Sequence, residues 1–344
     1  MRDGYYLSTY LTPPGPSWLL GVWLRHDNNL SLWRKSGGRI ELVRHWEMER
    51  YSGLRQHGAA FATEEDAFEF IDDLLASEGL GRADLVEIWG TPGIEDTNDY
   101  GIQDSGLPCH GIAHLYSSLF LDAAQFWNGC TLALSVDGVP DFVVERTDYY
   151  YAGALAKNGA CTFFPIESPG RIYDSAREHL GLQAGTLMAL ATASRARAEI
   201  DPQECLDGLY FWGNSAVCPS RLGAVAAADI LYRRVTERVR AWQECALVEA
   251  LDERFSELEN SISMVMKVLQ AACLLVMERT VEAALRRFSI RPQDCQLSLS
   301  GGFGLNLPSN THLCQKYGFS GFLAPPFIND SGQSVGTALA TFVR

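Results

Sequence analysis

Short apolar runs, each closed by a polar or glycine-rich turn, alternate along this chain with stretches of helical period, and that alternation confines it to an α/β fold. The first dozen residues or so read as an extended arm, and Trp18–Trp23 (WLLGVW) reads as a buried strand. Polar Arg25–Asn29 separates that run from Leu30–Trp33, and Ser36-Gly37-Gly38 separates the latter from Ile40–Val43, which predicts a strand meander. Thr63-Glu64-Glu65-Asp66 is a helix start, with the helix running to about Ser77. Leu85–Trp89 is the next strand, and Pro108 opens a helix that carries His110 and His114 and runs to about Trp127. Leu132–Val136 is a strand that delivers Asp137, with Phe142–Arg146 returning as its hairpin partner. Two hairpins that each put an Asp after a buried strand hint at a duplicated unit, without a sequence repeat to prove it.

Helical patterns cover Arg171–Ser194, Ala224–Ala241 and Asn260–Phe288, with an irregular span over Ala198–Pro219. The chain then returns to α/β order: strand Gln296–Ser300, a glycine turn, helix Pro308–Tyr317, strand Gly321–Ala324 and helix Ser334–Val343. A length of 344 residues suits one large α/β unit or two lobes. The net charge of −14 sets up a field that opposes a nucleic-acid backbone, so no nucleic-acid partner is expected. Arg233-Arg234 and Arg286-Arg287 sit on helical patterns and read as solvated faces. The nine cysteines include no C-x-x-C pair and follow no signal peptide, which points to free thiols in a reducing cytoplasm. The longest apolar stretches, such as Gln270–Met277, fall short of a membrane span, so no membrane association is expected.

His110 and His114 are spaced i, i+4, which puts both imidazoles on one helix face in a chelating geometry. The alternative is one packed and one exposed histidine. Asp137 projects from a strand end, where α/β folds place ligands, or serves as a turn residue before Gly138. Asp330 lies in Ile328-Asn329-Asp330-Ser331-Gly332, just before the last helix. Two histidines with carboxylates suit iron(II) or manganese as readily as zinc. Ser300-Gly301-Gly302-Phe303-Gly304-Leu305-Asn306 lets backbone approach a phosphate or adenosine, or is a plain strand-to-helix turn. His26-Asp27 offers a general base at a loop tip, or a surface histidine. Tyr210-Phe211-Trp212 reads as the wall of an acceptor cleft, as core packing or as a partner surface.

These pieces, in this order, resemble the carbamoyltransferase family that includes nodulation and antibiotic O-carbamoyltransferases. The family's nucleotide-binding domain is similar to the tRNA threonylcarbamoyl transferase. The resemblance rests on His26-Asp27; on Glu47-Met48-Glu49-Arg50-Tyr51, like the family's Glu-Glu-Glu-Arg-Phe; and on Cys109-His110-Gly111-Ile112-Ala113-His114, like His-His-Leu-Ala-His. It rests also on Ser135-Val136-Asp137-Gly138, on Leu299-Ser300-Gly301-Gly302 with Asn306, and on Asn329-Asp330-Ser331-Gly332.

The resemblance implies an actin-like ATPase (duplicated ribonuclease H-like) fold with a nucleotide cleft between two lobes. The first lobe would be residues 1–145 and the second, with a helical insertion, 146–344. It implies that His110, His114, Asp137 and Asp330 bind one ion, iron(II) or another divalent metal. It implies that Gly301, Gly302 and Asn306, with Gly138 and Gly332, face ATP or carbamoyladenylate, and that His26 and Asp27 serve catalysis. The activity implied is carbamoyl transfer from carbamoyladenylate to the hydroxyl of a small-molecule natural product, as in antibiotic biosynthesis. Two departures stand out. Where the family has Gly-Lys, this chain has Gly185-Thr186. The second, carbamoyladenylate-forming domain of many members is not expected in this sequence, so either a separate protein supplies the donor or the chain does something else. The alternatives are a non-catalytic or partner-dependent nucleotide-binding subunit and another actin-like kinase or ATPase.

Overall fold

The computed structural model describes residues 1–21, 24–97, 106–140, 147–245 and 251–343. Two sheets organise them. The first has the order β3-β2-β1-β4, from β1 (Gly4–Tyr10), β2 (Asn29–Ser36), β3 (Arg39–Glu47) and β4 (Leu85–Trp89). The second has the order β7-β6-β5-β8-β9, from β5 (Cys130–Ser135), β6 (Ala152–Lys157), β7 (Ala160–Pro165), β8 (Gln296–Ser300) and β9 (Gly321–Leu323). In each sheet three strands run as an antiparallel meander, and a helical crossover then returns the chain beside the meander's first strand, in parallel. The meander and return are thus built twice, which the hairpins in the sequence only hinted at. Strand β5 belongs to the second sheet, where it pairs with β6 and β8.

The first meander differs from the expected one. Its opening strand is β1, in place of an extended arm, and the described part of the expected Trp18–Trp23 strand, Trp18 to Gly21, is not a strand. Pro16–Leu20 forms a short helix, α1, with proline in its first turn, left-handed Gly21 at its end, and Trp18, Leu19 and Leu20 exposed. Six apolar residues fit a strand or a helical turn equally well, and proline decided between them. Val22 and Trp23 lie outside the described residues, as does Phe142–Arg146; the antiparallel partner of β5 is β6.

The remaining helices are α2 (Met48–Ser52), α3 (Glu64–Ala76), α4 (Cys109–Leu119), α5 (Ala123–Asn128), α6 (Gly170–Leu180), α7 (Ala184–Ala193), α8 (Pro202–Leu206), α9 (Ala224–Cys245), α10 (Glu257–Phe288), α11 (Leu307–Tyr317) and α12 (Gln333–Val343). The expected start of α3 is borne out by a capping box, in which Thr63 and Asp66 each hold the other's backbone N–H. Helix α3 covers one face of the first sheet, burying Ile71 and Leu75 against Leu7, Leu30, Leu32 and Trp46. Helix α10 is long and apolar enough to cross a bilayer by length and composition, but 67% of that stretch is buried inside the protein, the mark of a core helix.

Two helices fill the space between the sheets. Helix α12 lays Val335, Ala338 and Leu339 on Tyr6, Trp33 and Trp89 of the first sheet. Helix α4 lays Ile112, Ala113 and Leu115 on Ala133, Ala152 and Ala154 of the second. The small side chains on β5 and β6 let α4 settle close. The two helices also pack on each other, at Gly336, where any Cβ would clash with the Ala113 carbonyl. This contact carries the residues before α12 up to the histidines of α4.

Candidate functional site

His110 and His114 stand one turn apart on α4, both buried, with ring centroids 4.8 Å apart. Asp137 follows β5, and Asp330 lies in the turn that leads into α12. His110 Nε2 is 3.0 Å from Asp137 Oδ2 and 3.4 Å from Asp330 Oδ1; His114 Nε2 is 3.2 Å from Asp330 Oδ1 and 3.9 Å from Asp137 Oδ2. One donor atom from each of the four residues fits within 4.8 Å of the others. Ligands held about 2.1 Å from one ion sit about 3.0–3.4 Å from their neighbours in tetrahedral or octahedral geometry. Three of the four histidine–carboxylate distances fall in that range, the His114–Asp137 pair would have to close up on an ion, and a mixed imidazole and carboxylate set fits a first-row divalent metal.

The charges of the cluster are paired within the protein. Burial alone would push the Asp330 carboxyl up, but His110 and His26 beside it hold it well below the usual range. The His26 imidazole is pushed up to about 10, chiefly by Asp330 and next by its hydrogen bond to Asp27, against the opposing effect of burial. The imidazoles of His110 and His26 thus supply the positive charge that a carboxylate this deep needs.

The supporting hydrogen bonds set the ligands' aim. Tyr10 Oη lies 3.3 Å from His110 Nδ1, leaving Nε2 to face the carboxylates. The Tyr10 ring in turn lies under the Arg25 guanidinium, 4.6 Å from its centroid. Gln333 Nε2 donates to the His110 carbonyl. His114 Nδ1 is buried with no partner among the described residues. Asp137 Oδ1 accepts from Gly302 N at 3.0 Å, and Gly301 N donates to the Ile328 carbonyl, so the glycine turn bridges the two carboxylate loops. Gly301 has φ +87°, and a Cβ there would press on the Val136 carbonyl.

An open cleft of about 760 Å³ leads to the cluster. The expected residues His26, Asp27, Asp137, Gly138, Gly302, Asn306 and Asp330 all line it. Gly301 and Gly332 are not among its lining; they pack against Val136 and Phe327. The Asn306 amide is largely engaged: its oxygen caps α11 through Ser309 N and accepts from Gln270, and its nitrogen donates to Gln270 Oε1. Glu49, from the motif at the end of β3, also lines the cleft. Thr186, exposed at the start of α7, does not, though Gly185 does. No residue of Ala198–Pro219 lines it, and Phe211 is buried in the second core.

Arg55, Arg171 and Arg177 also line the cleft, and no motif in the sequence marks them. Arg171 and Arg177 lie on α6, pairing with Glu178 and Asp174 respectively. Arginines on helical patterns look solvated in a sequence; only the placement of α6 beside Gly138 reveals these two. The Gly138 contact is tight enough that a Cβ would meet the Asp174 carboxylate.

The family model described as the carbamoyltransferase N-terminus matches residues 68–339. The chain belongs to the carbamoyltransferase family, and the matched part is a transferase domain. No curated protein matches it. Among solved structures it is similar to component A of the (R)-2-hydroxyglutaryl-CoA dehydratase of Acidaminococcus fermentans, at 13% identity and TM-score 0.49, covering 98% of this chain and 97% of that one. It is also similar to full-length HypF in its phosphate- and nucleotide-bound form, at 13% identity and TM-score 0.45, covering 99% of this chain and 56% of that one. A third likeness is HypF of T. kodakarensis, at 12% identity and TM-score 0.43, with 99% and 48% covered. Likenesses this low add nothing to the strand order described above.

Proposed function

We propose that the protein transfers a carbamoyl group from carbamoyladenylate to a hydroxyl of a small-molecule natural product, using a divalent ion, iron(II) by preference, held by His110, His114, Asp137 and Asp330. The observation that carries the reading is this donor set at the end of an open cleft, in a member of the carbamoyltransferase family. The repeated strand order of the two sheets supports an actin-like frame of two lobes with the nucleotide between them.

Each part of the cleft has a task in this reading. Arg55 offers positive charge to the phosphate of the donor, and Arg171 and Arg177 can do so by exchanging their Glu178 and Asp174 partners for it. The backbone around Gly302 and Gly138 leaves room for close approach, and a volume of about 760 Å³ accommodates a nucleotide with an acceptor beside it. A bound divalent ion supplies Lewis acidity toward a carbonyl or phosphoryl oxygen. His26 positions the reacting groups. Its Nδ1 faces Asp27 at 3.1 Å and its Nε2 faces Asp330 at 3.5 Å, so neither nitrogen stands free to take the acceptor's proton. The donor is made from carbamoyl phosphate and ATP, by a separate protein where this chain does not make it.

The test presents isotopically labelled carbamoyladenylate and a panel of polyhydroxy acceptors to the iron-loaded protein. Label appearing on an acceptor, with AMP released in step, is the expected result. In a parallel reaction given ATP and the same acceptors, ATP hydrolysis or phosphoryl transfer, with no label transferred from carbamoyladenylate, would favour a kinase or ATPase and overturn the reading.

A further inference from the structure

We infer that Asn29 is a positioning residue that latches the His26-Asp27 tip to the loop carrying Asp330, and so sets the geometry of the metal site. The inference rests on the metal reading above. Asn29 opens β2 and is fully buried. Its amide nitrogen donates twice, to the Asp27 carbonyl at 2.7 Å and to the Asp330 carbonyl at 2.9 Å. Its amide oxygen accepts from Ser334 N at 3.0 Å, in the first turn of α12. Both donor hydrogens and the acceptor are thus spent, and two of the three partners lie some three hundred residues away in sequence.

The partners it joins are those that need holding. Asp27 has φ +54°, a left-handed conformation that a non-glycine residue keeps only under constraint. Asn329 Nδ2 secures the side chain of the same residue, donating to Asp27 Oδ2 at 3.1 Å. The contacts close a ring: His26 to Asp27, Asp27 to Asn29, Asn29 to Asp330, and Asp330 back to His26. The Asn29 bond is to the backbone of a metal ligand, so its loss frees the Asp330 carboxylate to swing while leaving all four ligands present. An apolar replacement would strip the Asp27 carbonyl of this donor and leave the Asp330 carbonyl held by Gln333 N alone. Aspartate has the right shape but presents oxygen to both.

The experiment is a cobalt(II) titration followed by visible absorption, on wild type, Asn29→Ala, Asn29→Asp and a control, Thr9→Val. Thr9 lies buried in the same sheet, where its hydroxyl bonds to the Trp89 carbonyl and Thr91, away from the cluster. The Asn29 variants should bind cobalt about 10–100-fold more weakly, as losses of outer support around a metal do. Thr9→Val should lower the melting temperature yet bind as the wild type does. If Asn29→Ala does not fold, the isosteric Asn29→Asp gives the same reading. Wild-type affinity in both Asn29 variants, or an equal loss in Thr9→Val, would overturn the latch alone. Absence of cobalt binding by the wild type would overturn the metal reading and the latch with it.

Discussion

At the scale of single residues, the site is a set of side chains whose partners are distant in sequence. Tyr10 reaches His110 from β1, and its phenol fixes which imidazole nitrogen faces the carboxylates. Tyr10→Phe should keep the fold and weaken divalent-metal binding about 10–100-fold, read by competition with a chromogenic chelator; unchanged affinity would show that the phenol has no such role. Gly301 is a second sensitive point. Gly301→Ala puts a Cβ at φ +87° against the Val136 carbonyl and should cost about 1–3 kcal/mol in urea unfolding. An unaltered midpoint would mean that the turn does not need glycine. His110 and His114 were legible in the sequence because helical spacing alone makes them neighbours. Asp137 and Asp330 were legible as residues at a strand end and before a helix, and the family resemblance joined them to the histidines. Tyr10, Asn29 and the cleft arginines were not, since no local pattern encodes a partner that the fold brings from elsewhere.

At the scale of elements, the contact between α4 and α12 positions everything else. It depends on Gly336, which leaves no room for a side chain beside Ala113. Gly336→Val should overpack this contact, costing about 1–3 kcal/mol, and should weaken metal binding as well, because Asp330 enters α12 directly. Loss of stability with metal affinity intact would separate the helix contact from the site. The sequence announced α3, β4, β8 and α11 to within a residue or two, since caps, glycine turns and clean apolar runs mark their ends. It misread Trp18–Trp23, where an apolar run was too short to carry a period and its exposed side chains obey the proline before them. It missed β6 and β7, Ala152–Lys157 and Ala160–Pro165, whose residue types do not alternate between apolar and polar.

For the molecule as a whole, the four ligands come from both sides of the central helix pair: α4 on the second sheet, the end of β5, and the turn that leads to α12 on the first sheet. An ion bound there ties the two sheets together, so metal should stabilise the entire fold. At an excess of about one hundred times Kd the gain should be about 2.7 kcal/mol, seen as a higher melting temperature that a chelator reverses. A melting temperature indifferent to metal and chelator would place the ion outside the folded core. The duplicated strand order emerged only from the structure, because the two meanders share geometry and not residues.

The most direct test of the account is the metal content of the protein purified anaerobically and loaded with iron(II), for wild type and His110→Ala side by side. The account predicts about one ion per wild-type chain and little in the variant, with the circular dichroism of the two alike. Equal metal in both, or none in the wild type, would contradict it.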